Sequence, residues 1–175
     1  MKDKIIVGVI AVAAIVGGAY VATSMERVGQ GEVGVAYSIS GGVRDEVLSP
    51  GWHFVGPFVT VKNYPVSQKQ LVLSNNPEDY NKKEHADWHV DAPADGGTVK
   101  LNMTINYNFD ADRVVELYTK FNGMDGEAIV DSMIQNSIIA YIKEVTPRFT
   151  VMDIYSDKKA EVNQAITEYL NEKLY

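Results

Sequence analysis

Two groups of residues in this sequence have the spacing of chemical sites. Gly29-Gln30-Gly31-Glu32-Val33-Gly34 reads G-x-G-x-x-G, the spacing that wraps backbone amides around a dinucleotide pyrophosphate. His85 and His89 are four residues apart, with Glu84, Asp87 and Asp91 beside them. On a helix, that interval would bring both imidazoles to one face, as in some zinc sites.

Neither group has the context its chemistry needs. A dinucleotide fingerprint follows a strand and opens a helix. Here an apolar span and a charged collar precede the glycines, and the β-rich run "EVGVAYSI" follows them. No helix N-terminus is offered to a phosphate, so the glycines read as a sharp turn into a first strand. Around the histidines, Pro93 and the Asp and Gly content oppose a stable helix, and no third ligand is evident. The third histidine, His53, stands apart. Nucleophile-elbow, H-E-x-x-H and Walker sequences are all missing. The reading is no catalytic residues, no cofactor and no metal.

Composition narrows the field further. The net charge is −7, and no Lys/Arg cluster is interleaved with aromatics, which excludes a nucleic-acid partner. There are no cysteines, so disulfides, thiolate nucleophiles and Cys-type zinc sites are excluded as well. At 46% hydrophobic residues, the chain has material for a core.

The elements that must position everything else begin with an apolar run. Ile5 to Thr23 carries no charge, and as a helix it would extend about 28 Å, close to a bilayer's hydrocarbon thickness. Ile5, Val9, Val12, Val16 and Tyr20 are its expected membrane-spanning residues. Ala13/Gly17 and Ala14/Gly18 are small-residue pairs that allow close helix approach. A cleaved secretory signal is the competing reading, weakened by the length of the run and the poor cleavage site around Ala22-Thr23-Ser24. Lys2 and Lys4 precede the run and Arg27 follows it, which places the N-terminus in the cytoplasm and the body outside it.

Beyond the run, "EVGVAYSISGGVRDEV" reads as a hairpin turning at Gly41-Gly42. "LSPGWHFVGPF" reads as a turn-rich apolar loop, with "VTVKNYPV" and "QKQLVLS" as further strands. The polar stretch from Asn75 to Gly97 is the least regular, and part of it is expected to form an extended hairpin. "TVKLNMTINYNF" alternates strictly, Val99 to Phe109 against Thr98 to Asn108, and predicts one long half-buried strand. Helices are expected after Asp110 or Asp112, from about Glu127 to Val145 with Pro147 as the stop, and from a Ser156 cap onward. The last carries Val162, Ile166, Tyr169, Leu170 and Leu174 on one stripe and has no terminating signal, as expected of a longer helix cut at Tyr175. Strands first and helices later make this an α+β chain.

Four blocks in this order resemble the SPFH, or band-7, family of stomatin, prohibitin, flotillin and bacterial protease-associated proteins. They are the anchor with "VGQGEVGV", then "VRDEVLSPGWHFVGPF", then "DGGTVKLNMTINYNFDADRVVELYTKF", and last "IVDSMIQNSIIAYIKEVTPRFTVMDIYSDKKAEVNQAITEYL". The anchor and the block order look most like prohibitin. The stretch from Asn75 to Gly97 departs from the family in looking longer than usual.

The resemblance implies a membrane anchor at 1–24, an SPFH domain of antiparallel strands and amphipathic helices at 25–155, and the start of a C-terminal helix at 156–175. It implies a largely non-enzymatic scaffold at the cell membrane that lines up laterally into a large ring or cage, confines a lipid patch and regulates an embedded partner such as a membrane protease. Membrane lipids and further copies of the chain are then its partners.

Two sets of residues are expected to carry that role. Trp52, Phe54 and Phe58, grouped around glycine and proline, either rest at a bilayer interface or fill the core beneath a turn. Val162, Ile166, Tyr169 and Leu174 are mostly core by their stripe, with part of it available to a neighbouring copy. The rival functions are a monomeric tethered ligand-binding ectodomain and a metal-dependent hydrolytic ectodomain built on His85 and His89.

Overall fold

The structure is a computed structural model that describes residues 13–76, 78–79, 88–156 and 158–174. Its antiparallel strands and later helices make it α+β. Two compact units are present, each drawing on two stretches of chain.

The first unit takes the described residues up to Ser67 together with Asn108–Ala128. Residues 13–22 form a helix, α1. The charged collar is itself a strand, β1 (Met25–Val28), followed by β2 (Glu32–Ser38), β3 (Gly42–Leu48), β4 (Gly51–Phe54) and β5 (Val59–Pro65). β2 is the centre of a three-stranded antiparallel sheet with β3 and β5 on its edges, while β1 and β4 form a separate ribbon. The expected hairpin is present. Ser38 Oγ accepts the Gly41 N–H at 2.9 Å, and Gly42 supplies the positive φ of 73° that the turn requires.

Two glycines of the G-x-G-x-x-G stretch have clear structural tasks. Gly31, at φ 79°, turns the chain between β1 and β2, and its carbonyl accepts the N–H groups of Val66 and Ser67. Gly34 lies within β2, where a Cβ would meet Val61 Cγ1 at 2.8 Å and Val28 Cγ2 at 2.9 Å. A strand, not a helix, follows the motif.

Helix α2 (Val114–Lys120) packs on β2 and β3. Neither expected aspartate caps it, since its N-cap is Arg113, without a side-chain bond. Asp110 Oδ1 instead accepts the Asp112 N–H at 3.0 Å and shapes the preceding turn. The helix closes through Asn122 and Gly123, both at positive φ, with the Gly123 N–H on the Tyr118 carbonyl at 2.8 Å. Tyr64 is fully buried and packs edge-on against Phe109 at 5.5 Å. Its hydroxyl donates to the Met124 carbonyl at 2.6 Å.

Chain continues helically from α3 (Gly126–Ile129) through a π turn (Val130–Ile134) into α4 (Gln135–Val145), as the periodicity predicted. Pro147 falls in the short 3-10 turn that ends it.

The second unit takes Gln68–Tyr107 and the described residues from Ile129 onward. The long alternating strand is corrected here to two, β8 (Gly97–Leu101) and β9 (Met103–Tyr107), which change partner at Asn102. β8 pairs with β7 (Val90–Ala94) and β9 with β6 (Lys69–Leu73). At the switch, Asn102 Nδ2 donates to Asn75 Oδ1 at 3.0 Å, satisfying a polar side chain where the ladder stops. Only one arm of the β7–β8 hairpin, β7, comes from the polar stretch; the other is the first half of the alternating strand.

Val151–Tyr155, between two expected helices, forms a further short helix, α5. Thr150 and Asp153 form a reciprocal capping box, with both bonds at 3.1 Å. Lys158 lies 3.0 Å from Asp153, and its hydrogen bond, with those from Thr150, holds that carboxyl below its ordinary range. Ser156 closes α5, its N–H on the Met152 carbonyl at 3.0 Å, before α6 (Lys159–Leu174) begins. α4 and α6 pack together over Ile138, Ile142, Val162, Ile166 and Leu170, all buried.

Burial pushes the Tyr64 phenol from 10.0 up to about 12, with Tyr118 and Asp125 adding to the effect. The fold therefore favours the protonated form. That contribution is complete below pH 10 and is lost as pH rises toward 12. Denaturant midpoints measured across this range should fall with pH, and Tyr64→Phe should remove most of the fall. At neutral pH the same substitution should cost about 1 kcal/mol for the lost hydrogen bond.

Candidate membrane-facing site

Residues 13–22 read AAIVGGAYVA, without a charged side chain, and every one of them is exposed. A helix apolar on all sides suits an apolar surrounding rather than water. Gly17 and Gly18 face open space. Among the described residues, no helix is long and apolar enough to cross a membrane. Of the expected spanning residues, Ile5, Val9 and Val12 lie outside the described residues, whereas Val16 and Tyr20 are exposed on α1.

The base of α1 is tied down by hydroxyls. Thr23 donates through both its N–H and Oγ1 to the Ala19 carbonyl at 3.0 Å, and Ser24 Oγ donates to the Tyr20 carbonyl at 2.6 Å. These bonds satisfy helix carbonyls that would otherwise lack partners. Ser24 is fully buried, and its own carbonyl accepts the Val55 N–H at 2.8 Å and the Gly56 N–H at 3.4 Å. The helix base is thereby joined to the residues that leave β4.

β4 carries two of the three expected interface rings. Trp52 and Phe54 alternate with His53 and so share a face of the strand. They are 66% and 60% exposed, so neither fills a core. The Phe54 ring lies 6.5 Å from that of Tyr20, continuing the apolar surface of α1 onto the β1–β4 ribbon. Trp52 stands opposite Arg27 in the ribbon. His53 points elsewhere, its Nε2 donating to the Ser49 carbonyl at 2.6 Å across the Pro50-Gly51 turn.

Phe58 is the most exposed of the three at 82%, and its φ is +62°. A bulky side chain in the left-handed region costs about 1 kcal/mol or more, and here no burial offsets it. Sequence reasoning missed Ile39, exposed at the tip of the β2–β3 hairpin, which lines one hollow with Phe58. The signal was an isoleucine placed among Ser38, Ser40 and two glycines, where a turn has no use for it.

Trp52 and Phe54 on β4, with Phe54 near the apolar α1, and Phe58 and Ile39 around one hollow, are exposed groups of the kind that sit well at the headgroup level of a bilayer.

The C-terminal stripe is placed differently. Val162 and Ile166 are buried in the second unit and cannot contact a neighbouring copy as they stand, which restricts the expected oligomer contact on α6. Tyr169 packs edge-on against Tyr141 at 6.0 Å and donates to Glu144, while Leu174 remains exposed. Of the histidine pair, His85 lies outside the described residues. His89 Nε2 is 2.9 Å from Asp91 Oδ1, and among the described residues no group of three His, Cys, Asp or Glu could hold a metal.

If the rings are surface groups, removing them should leave stability almost untouched. Trp52→Ser should shift unfolding by no more than about 0.5 kcal/mol, against about 3–5 kcal/mol for a buried tryptophan. Phe58→Asn should be neutral or stabilising, because Asn tolerates positive φ. Equilibrium denaturation of the variants checks both.

Residues 26–175, most of the chain, match the family model described as SPFH domain / Band 7 family. No curated protein matches the chain.

Proposed function

The chain belongs to the SPFH/band-7 family, and on that premise we propose that it is a membrane-anchored scaffold that assembles laterally into a ring or cage. Members of this family are generally membrane-associated and non-enzymatic. The observation that carries the reading is the exposure of α1, apolar on every side and joined at its base to the exposed rings of β4. Water does not favour such a surface, whereas a bilayer and its headgroup layer do.

On this reading the segment before Ser24 anchors the chain, and Trp52, Phe54 and Phe58 lie at the interface. The lysines at 2 and 4 set the N-terminus in the cytoplasm and the body outside. Copies standing side by side enclose a lipid patch and restrain a partner within it, a membrane-embedded protease being the family-level expectation. The anchor and block order resemble those of prohibitin. Since Val162 and Ile166 are buried, lateral contacts on α6 fall to exposed positions such as Leu174.

The test is electron microscopy of the natural full-length product extracted with its native lipid. Closed rings or cages of many subunits are expected. Uniform particles containing one copy would overturn the scaffold and favour a tethered binding module.

A further inference from the structure

The rim of the first unit is not purely apolar. Between the β2–β3 hairpin tip and the turn before β5 lies an open hollow of about 520 Å³. Ile39, Pro57 and Phe58 are among its apolar walls, and Arg44, Ser38 and Ser40 supply the polar groups. No carboxylate lines it. That is notable in a chain of net charge −7 whose Arg44 is followed directly by Asp45 and Glu46.

Arg44 is held in place. Its Nη2 donates to the Val55 carbonyl at 2.9 Å, one of the five N–H donors a guanidinium carries. Among the described residues it forms no ion pair, not even with Asp45 or Glu46. A bulge lies behind this arrangement. β2 and β3 keep register at Val35↔Val47 and resume it at Tyr37↔Val43, so Arg44, Asp45 and Glu46 bow out opposite Ala36. Bulges of this kind re-aim side chains. Ser38 Oγ accepts the Gly41 N–H and keeps its own O–H to donate.

We infer that this hollow is a headgroup subsite for an anionic phospholipid, with Arg44, Ser38 and Ser40 on the phosphodiester and Ile39 and Phe58 beside the glycerol and first acyl carbons. The inference rests on the membrane-facing reading above and deepens it. A guanidinium with spare donors matches phosphate oxygens geometrically. The apolar walls decide between sources, because a free phosphate gains nothing from Ile39 and Phe58 whereas a lipid does. Net charge decides between lipids, since a zwitterionic headgroup carries its own cation toward Arg44. The inference also accounts for Phe58, whose positive φ and full exposure serve no packing purpose.

The test uses the full chain reconstituted into vesicles of phosphatidylcholine and phosphatidylglycerol, with one lipid at a time bearing a photoactivatable group next to its phosphate. Flotation first establishes that the protein is on the vesicles. Cross-linking yield is then read on the peptide carrying Ser38 to Val59. Phosphatidylglycerol should label it about fivefold more than phosphatidylcholine, the ratio expected of one basic side chain at an anionic surface. Arg44→Gln should bring the ratio close to one. So should Ser40→Asp, which leaves the Arg44–Val55 bond intact and sets a carboxylate in the hollow. Equal labelling by both lipids in a protein that floats would overturn the subsite and leave the membrane reading standing. Enrichment that survives both substitutions would likewise overturn it. A chain that does not float would overturn the membrane reading and the subsite together.

Discussion

The arrangement of the first unit depends on one buried serine. Ser24 receives the end of α1 through its hydroxyl and the exit of β4 through its carbonyl, with no exposed surface of its own. A hydroxyl bonded to the carbonyl four residues back closes a helix without exposing its polar end. A carbonyl that accepts both the Val55 and Gly56 N–H groups then fixes where the next segment must run. Two of the site's rings stand next to this junction in sequence or space. Phe54 immediately precedes Val55, Tyr20 supplies the carbonyl that Ser24 bonds, and Phe58 stands two residues beyond Gly56. Without the junction, an apolar helix and an aromatic ribbon would be two unrelated features.

That constraint also separates what folds the unit from what it displays. Val28, Val35, Ala36, Tyr64 and Val114 fill the interior and leave no place for Trp52, Phe54 or Phe58. Hydrophobic burial therefore contributes little through these three rings, and Phe58 adds backbone strain. Features that cost a fold something persist where they serve a surface, and on the proposed reading that surface is the one turned to the bilayer. The acidic balance of the chain is consistent with it. A chain of net charge −7 gains no general attraction to an anionic bilayer, so on the proposed reading contact would fall to the apolar groups and to a few placed cations such as Arg27 and Arg44.

Much of the fold was legible because its signals are local. Gly41-Gly42 announces a hairpin through the positive φ only glycine takes easily, and the helix through Val145 shows in the recurrence of Val130, Ile134, Ile138 and Ile142. The strand from Thr98 to Phe109 was legible as strand but not as two. Alternation records which face each side chain takes and says nothing about which neighbour supplies the hydrogen bonds, so the partner switch at Asn102 left no mark. β4 escaped notice because four residues, beginning at Gly51 directly after Pro50, give no period to read. α5 is too short for helical periodicity, although Thr150 and Asp153, three apart, carried its capping signature. The site was half legible. Ring types and spacing were visible, but whether they face core or solvent is a matter of tertiary packing, and the Ser24 junction beside them joins residues about thirty apart in the chain with no sequence period. Arg44 was invisible as a site residue because its placement comes from a bulge.

The most direct test of the account is the depth of the first unit's rim in a bilayer. Since the chain has no cysteine, single cysteines can be introduced at positions 20, 54 and 58, with position 112 as a reference on the same unit, and spin-labelled in the reconstituted full chain. Relaxation by oxygen and by an aqueous nickel complex then reports depth at each site. The account predicts that positions 20, 54 and 58 favour oxygen, with 20 and 54 at similar depth, and that position 112 favours the aqueous agent. Equal aqueous accessibility at all four positions would contradict it, leaving the exposed rings without a membrane to face.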